Sequence, residues 1–304
     1  MMHSALAILI LAVGAASSAS GQDLSFATVP EARKLLSTRD AFVARMSPFD
    51  RSARMKTDRE VPEAEYLAFA AAAAMQWSPD EIKIVQAAFS KVKPAIAQSS
   101  LPLPSSVTVI KTSGLEEGNA AYTREKAIIL PQRELASDEL PRLLAHELFH
   151  IASRQNPKLA EALYATIGFR HCGEAEIPAE LAPLKITNPD APRNDYCIDL
   201  KLGQERIVAT PLLLSRSPKY DVSRGGEFFE YLQLAYLVRD DRAPRLVGLQ
   251  DVSGFFEQVG RNTEYIIHPE EILAENFALL IQGARDVPSP EVLTRMRAAL
   301  EQAD

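Results

Sequence analysis

His146-Glu147-Leu148-Phe149-His150 decides how the rest of this 304-residue chain is read. On a helix, residues four positions apart lie one above the other on the same face. Both imidazoles can therefore turn toward one metal ion, with Glu147 beside them to take a proton from water held there. The local sequence reads as helical. Leu140, Leu143, Leu144, Leu148 and Ile151 recur at helical spacing, and Ser137 or Asp138 can cap the N-terminus. Pro141 suits the first turn, and Asn156-Pro157 marks a stop. The competing reading is a buried amphipathic helix whose histidines only satisfy core hydrogen bonds. A glutamate flanked by two histidines fits that reading poorly.

A catalytic zinc takes a third protein ligand and keeps one position open. The candidate stands near the C-terminus, in His268-Pro269-Glu270-Glu271-Ile272-Leu273-Ala274-Glu275-Asn276-Phe277-Ala278. Pro269 suits a first helical residue and Gly283 a stop. Glu271 and Glu275 are four apart and face the same way, whereas the i+4 partner of Glu270 is Ala274. That asymmetry favours Glu271 as ligand and Glu275 as the carboxylate holding a ligand histidine by its other nitrogen. Taken alone, the same acidic turn would read as a solvated helix start favoured by the helix dipole.

Together the two segments resemble the gluzincins, zinc peptidases that take two histidines from H-E-x-x-H and a glutamate from a later helix. In that group the later helix often reads E-x-x-x-D or E-x-x-A-D-x-x-A. Glu271 to Ala278 follows the longer form, with Glu275 in the aspartate position. The resemblance implies an α+β fold with a zincin-like core, and His146, His150 and Glu271 as ligands of one Zn2+. It also implies Glu147 as general base, Glu275 orienting His146, and a peptide or protein substrate. More than a hundred residues separate His150 from Glu271. That spacing is longer than in thermolysin-like members, so a β-rich insertion is expected at about 172–262.

Upstream, Val107 to Ile110 and Ala127 to Leu130 read as short β-branched strands. Between them, Asn119-Ala120 looks like the Asn-Ala pair on the thermolysin edge strand, which receives an extended substrate. A hairpin turn with Asn119 chosen for its conformation is the other reading. For oxyanion stabilisation, His268 and Tyr265 are the nearest candidates by sequence, and Tyr231 and Tyr236 could come from the insertion. Packing is the alternative role for each aromatic.

Apolar residues make up 47% of the chain, ample for a core, and the net charge is −7. That balance argues against nucleic-acid binding, which needs a basic surface. One local basic stretch, Arg45 to Arg59, is interrupted by Asp50 and Asp58 and reads as a solvated helix face or loop.

Residues 1–21 read as a signal peptide. Ala5 to Val13 is a continuous apolar run followed by small residues, with cleavage after Gly21 or Ala19. The run is shorter than the ~20 residues a membrane span needs, and no later stretch is long enough. Export, to a periplasm or outside the cell, follows. In such a compartment Cys172 and Cys197 are expected to form a disulfide around a Pro-rich loop.

Residues 22–104 read as a helical N-terminal region: Pro30 to Arg45, Pro62 to Met75, and a helix capped by Ser78 that runs to Lys93, before Pro94. Leu101 to Pro104 links it to a catalytic domain at 105–304. Tyr196 to Val238 reads as β-rich, with a hairpin at Leu202-Gly203-Gln204-Glu205. Phe228 to Leu237 fits a strand or a helix. The expected function is an exported zinc metallopeptidase. The alternative is a catalytically silent zincin-fold binding or envelope scaffold protein.

Overall fold

The computed structural model describes residues 23–240 and 244–302, so the expected signal peptide lies outside the described residues. A four-stranded sheet is built from β1 (Asp23–Phe26), β2 (Ser106–Thr112), β3 (Tyr122–Arg124) and β4 (Ala127–Pro131) in the order β1-β2-β4-β3. The first three in that order run parallel, and β3 turns back antiparallel to form an edge. Both faces of the sheet are covered, which is why β2 and β4 read as nearly continuous apolar runs. Val107, Val109, Ile128 and Leu130 enter the main core, while Ile110, Ala127 and Ile129 pack against Leu36 of α1 (Val29–Leu36).

The N-terminal region is helical, with α2 (Pro48–Arg54), α3 (Glu63–Ala72) and α4 (Pro79–Gln98) following α1. It is not a unit apart. Its strand β1 pairs with β2, and Val85, Phe89 and Val92 of α4 share the main core. The capping box at Ser78 forms with Glu81 as the spacing predicts. Helix α4 runs through Pro94 to Gln98, however, rather than stopping at Lys93. Val92 and Ile96 are buried on either side of the proline. Their packing outweighs the one backbone bond that Pro94 cannot make.

The motif helix is α5 (Leu140–Gln155), followed directly by α6 (Pro157–Ala165). Its N-cap is Glu139, without a side-chain cap bond; Ser137 Oγ instead accepts from the Glu139 N–H at 3.2 Å. Between α5 and the C-terminal helices lies an antiparallel sheet of β5 (Phe169–His171), β6 (Tyr196–Leu202), β7 (Glu205–Ser215), β8 (Leu232–Val238), β9 (Arg245–Val247) and β10 (Val252–Ser253). The hairpin forms at Gly203-Gln204, with Gly203 at φ +61°, where a left-handed turn residue is needed. Phe228–Tyr231 is a 3-10 turn and the strand begins at Leu232, so Phe228 to Leu237 divides between two conformations. Then come α7 (Phe256–Val259), α8 (Pro269–Ile281) and α9 (Pro290–Glu301). Helix α8 packs along α5, with the Phe149 and Phe277 rings 5.6 Å apart, and Gly283 follows its end at φ +68°.

The stretch Arg45 to Arg59 is not a solvated face throughout. Arg54 is fully buried, donating to Asp50 Oδ1 at 2.7 Å, Glu117 Oε1 and Oε2 at 2.6 and 2.7 Å, and the Thr187 carbonyl at 3.1 Å. Cys172 and Cys197 are bonded, with their Cα atoms 5.9 Å apart. Among the described residues no helix is long and apolar enough to cross a membrane.

Candidate metal centre

Helices α5 and α8 lie side by side, and their facing turns carry the chemistry. His146 Nε2 is 3.2 Å from Glu271 Oε2, and His150 Nε2 is 3.5 Å from the same oxygen. Four-coordinate zinc with bonds of ~2.0–2.1 Å separates its ligands by roughly 3.3 Å. Both distances to Glu271 match that spacing, and the three ligand atoms all lie within 4.8 Å of one another. All three residues are buried, and His150 Nε2 has no hydrogen-bond partner. A buried polar atom left so is costly unless something else binds it. The group fits a metal ion.

The far nitrogens of both rings are occupied. Glu275 Oε1 lies 3.0 Å from His146 Nδ1, and Glu270 Oε1 lies 3.1 Å from His150 Nδ1. Each carboxylate holds the proton on Nδ1 and leaves Nε2 for a metal. The bond from Glu275 to His146 is the one the sequence pattern implies. The bond from Glu270 leaves no trace in the spacing of its own helix, because its partners are on α5 and α6. Ser153 Oγ at 2.9 Å and the Tyr164 hydroxyl at 2.7 Å both donate to Glu270 Oε2. Arg142 is paired with Glu275.

Burial opposes charge on His146, yet the Glu271 and Glu275 carboxylates outweigh it and raise its pKa to about 9. His150 is likewise raised against burial, by the charges of Asp190 and Glu271 and its bond to Glu270. Burial alone would raise Glu271; the two imidazoles, His150 foremost, hold it well below the usual carboxylate range. Glu147 is pushed up to about 8, chiefly by burial and then by the Asp190 carboxylate. Its Oε2 is buried without a hydrogen-bond partner.

Of the other sequence candidates, Tyr265 lines the cavity beside the centre, and its hydroxyl has no hydrogen bond among the described residues. Burial and then the Glu271, Asp190 and Glu147 carboxylates push its pKa well above the ordinary phenol value. His268 is instead the N-cap of α8. Its Nδ1 accepts from the Glu270 N–H at 3.1 Å, so this ring caps the helix that carries Glu270 and Glu271. Tyr231 bonds the backbone of Asp221 and Gly225, and Tyr236 packs against Phe255; both are core residues. Asn119 sits in a turn at φ +67°, and Ala120 reaches the cavity wall just before β3.

Two residues of the Pro-rich loop also reach the site, without a signal in the sequence. Asn188 Nδ2 donates to Glu271 Oε1 at 2.7 Å, and Asp190 stands beside Glu147 and His150. No periodicity marks an irregular segment. The cavity they border measures about 30 Å³, room for one or two waters. A larger groove of about 1150 Å³ lies between α6 and α9 and contains none of these groups.

No protein-family model matches this chain, no curated protein matches its sequence and no solved structure matches its fold.

Proposed function

We propose that the protein is a zinc-dependent hydrolase, and within that class an exported metallopeptidase of the gluzincin type. The observation that carries this reading is the convergence of His146 Nε2, His150 Nε2 and Glu271 Oε2 at 3.2 and 3.5 Å, with an unpartnered Glu147 oxygen beside them. A zinc ion held by these three residues would supply Lewis acidity and a more acidic bound water. Glu147 takes the proton of the attacking water and returns it to the leaving amine. Tyr265 donates to the developing oxyanion. Glu275 and Glu270 hold the two imidazoles in the tautomer and orientation that the role requires. The antiparallel edge strand β3, beside the motif helix, supports a zincin-like core in which an extended peptide adds a strand.

A catalytically silent zinc-binding protein is the second reading, and the small cavity favours it. Zinc content and peptide hydrolysis, measured on the purified protein and on Glu147→Gln, separate the two. The peptidase reading expects one zinc per chain in both, with hydrolysis of a mixed peptide library lost by ~10²–10⁴ in the variant. Zinc in both without hydrolysis in either gives the lead to the silent reading. No zinc in either sinks both.

A further inference from the structure

We propose that Asn188-Pro189-Asp190 is an internal occupant of the substrate track, which holds the metal centre closed until it is displaced. This rests on the peptidase reading above. The edge strand β3 pairs with β4 through Tyr122 and Ile129 on one side and Arg124 and Ala127 on the other. Between them the Thr123 N–H points outward, and an added strand would take it. Asp190 takes it instead: its Oδ1 accepts from Thr123 N at 2.7 Å and from Thr123 Oγ1 at 2.6 Å. A side-chain carboxylate thus stands where the carbonyl of an extended peptide would bind.

Two positions earlier, Asn188 Nδ2 donates to the free oxygen of Glu271. The segment therefore spans from the edge strand to a candidate metal ligand, the same two points that a bound peptide would connect. Arg154 of α5 fastens it, donating to the Asp190 carbonyl at 3.1 Å and to Thr123 Oγ1 at 2.8 Å. Upstream, the Thr187 N–H is held by both oxygens of Asp50, 3.0 Å each. The Cys172–Cys197 bond closes the loop that contains the segment. Glu147 is only 2% exposed, and its carboxylate lies within 4.8 Å of that of Asp190. The cavity that Asn188, Pro189 and Asp190 line with Ala120 and Tyr265 measures about 30 Å³, too small for a peptide while the segment is in place.

The test uses the zinc-loaded full chain and three variants: Asp190→Ala, Asn188→Ala and Asp190→Asn. The probe is a blocked dipeptide hydroxamate, with binding measured by calorimetry and turnover of a mixed peptide library followed on the same samples. Removing the bonds to Thr123 or Glu271 should tighten hydroxamate binding at least roughly tenfold, because the closed state loses stabilisation that the open state never had. Asp190→Asn keeps the acceptor oxygen and should stay near the parent. Weaker or unchanged binding in both alanine variants would overturn the proposal, since Asn188 and Asp190 would then be permanent parts of the site. Should Asp190→Ala fail to fold, hydrogen exchange on the parent decides. Hydroxamate should expose the Asp190 amide, and an unchanged amide counts against displacement. Tighter binding in the variants without peptide turnover in any sample would sink the peptidase reading and leave the closing segment standing. Absence of zinc from the parent would sink both.

Discussion

Glu270 Oε1 and His150 Nδ1 are 3.1 Å apart, on the side of the ring away from Glu271. Adjacent glutamates on one helix thus serve one histidine from opposite sides. Glu271 faces Nε2, the nitrogen open to a metal, and Glu270 holds the other.

Glu270→Ala should weaken zinc binding by ~10–100-fold, the usual cost of losing a group that orients a metal-bound histidine. Competition with a chelator measures it. Tyr164→Phe removes one of the two hydroxyls on Glu270 and should cost less. If Glu270→Ala bound zinc as tightly as the parent, the bond to His150 would have no orienting role.

Zinc affinity should rise with pH. His146 carries its proton up to about 9 when no metal competes, against an ordinary 6.5, and His150 is also raised. Zinc must displace those protons, so affinity should rise by ~10–100-fold per unit between pH 6.5 and 8. The zinc-free protein should behave oppositely. A raised histidine contributes stability fully below its unfolded pKa, and that stability is lost as pH rises through 9. Its Tm should therefore fall from pH 6.5 to 9, and a rise would contradict the paired imidazolium and carboxylate groups.

Arg54→Ala should destabilise the fold by about 3–5 kcal/mol, because it strands the buried carboxylates of Asp50 and Glu117 without a cation. Urea denaturation at neutral pH reads the loss. Arg59→Ala makes the comparison: its ion pair with Glu65 is solvent-exposed, and its loss should cost far less than that of Arg54. Equal effects would mean that burial does not set the cost.

Reducing the Cys172–Cys197 bond should lower stability by about 2–4 kcal/mol, the usual value of a cross-link closing a loop of this size. Thermal unfolding with and without reductant, both with zinc present, measures it. An unchanged Tm would show that the Pro-rich loop is held by its packing and hydrogen bonds alone.

What depends on spacing along one element is legible in the residues themselves. Four-residue intervals placed His146 with His150 and Glu271 with Glu275. Proline and glycine at Pro269 and Gly283 bounded α8, and two-residue alternation with a glycine turn located the hairpin at Gly203. What depends on which elements meet emerges from the packed fold. Glu270 reaches His150 because α8 lies along α5, and no periodicity within α8 could reveal that. Arg54 is buried because Glu117 and Thr187, far away in the chain, close over it. Likewise Asn188 and Asp190 reach the centre from an irregular loop, where neither a helical nor a strand period orders the side chains. Local hydrogen-bond geometry is written in neighbouring residues, whereas contacts across the fold depend on packing that one stretch of sequence does not contain.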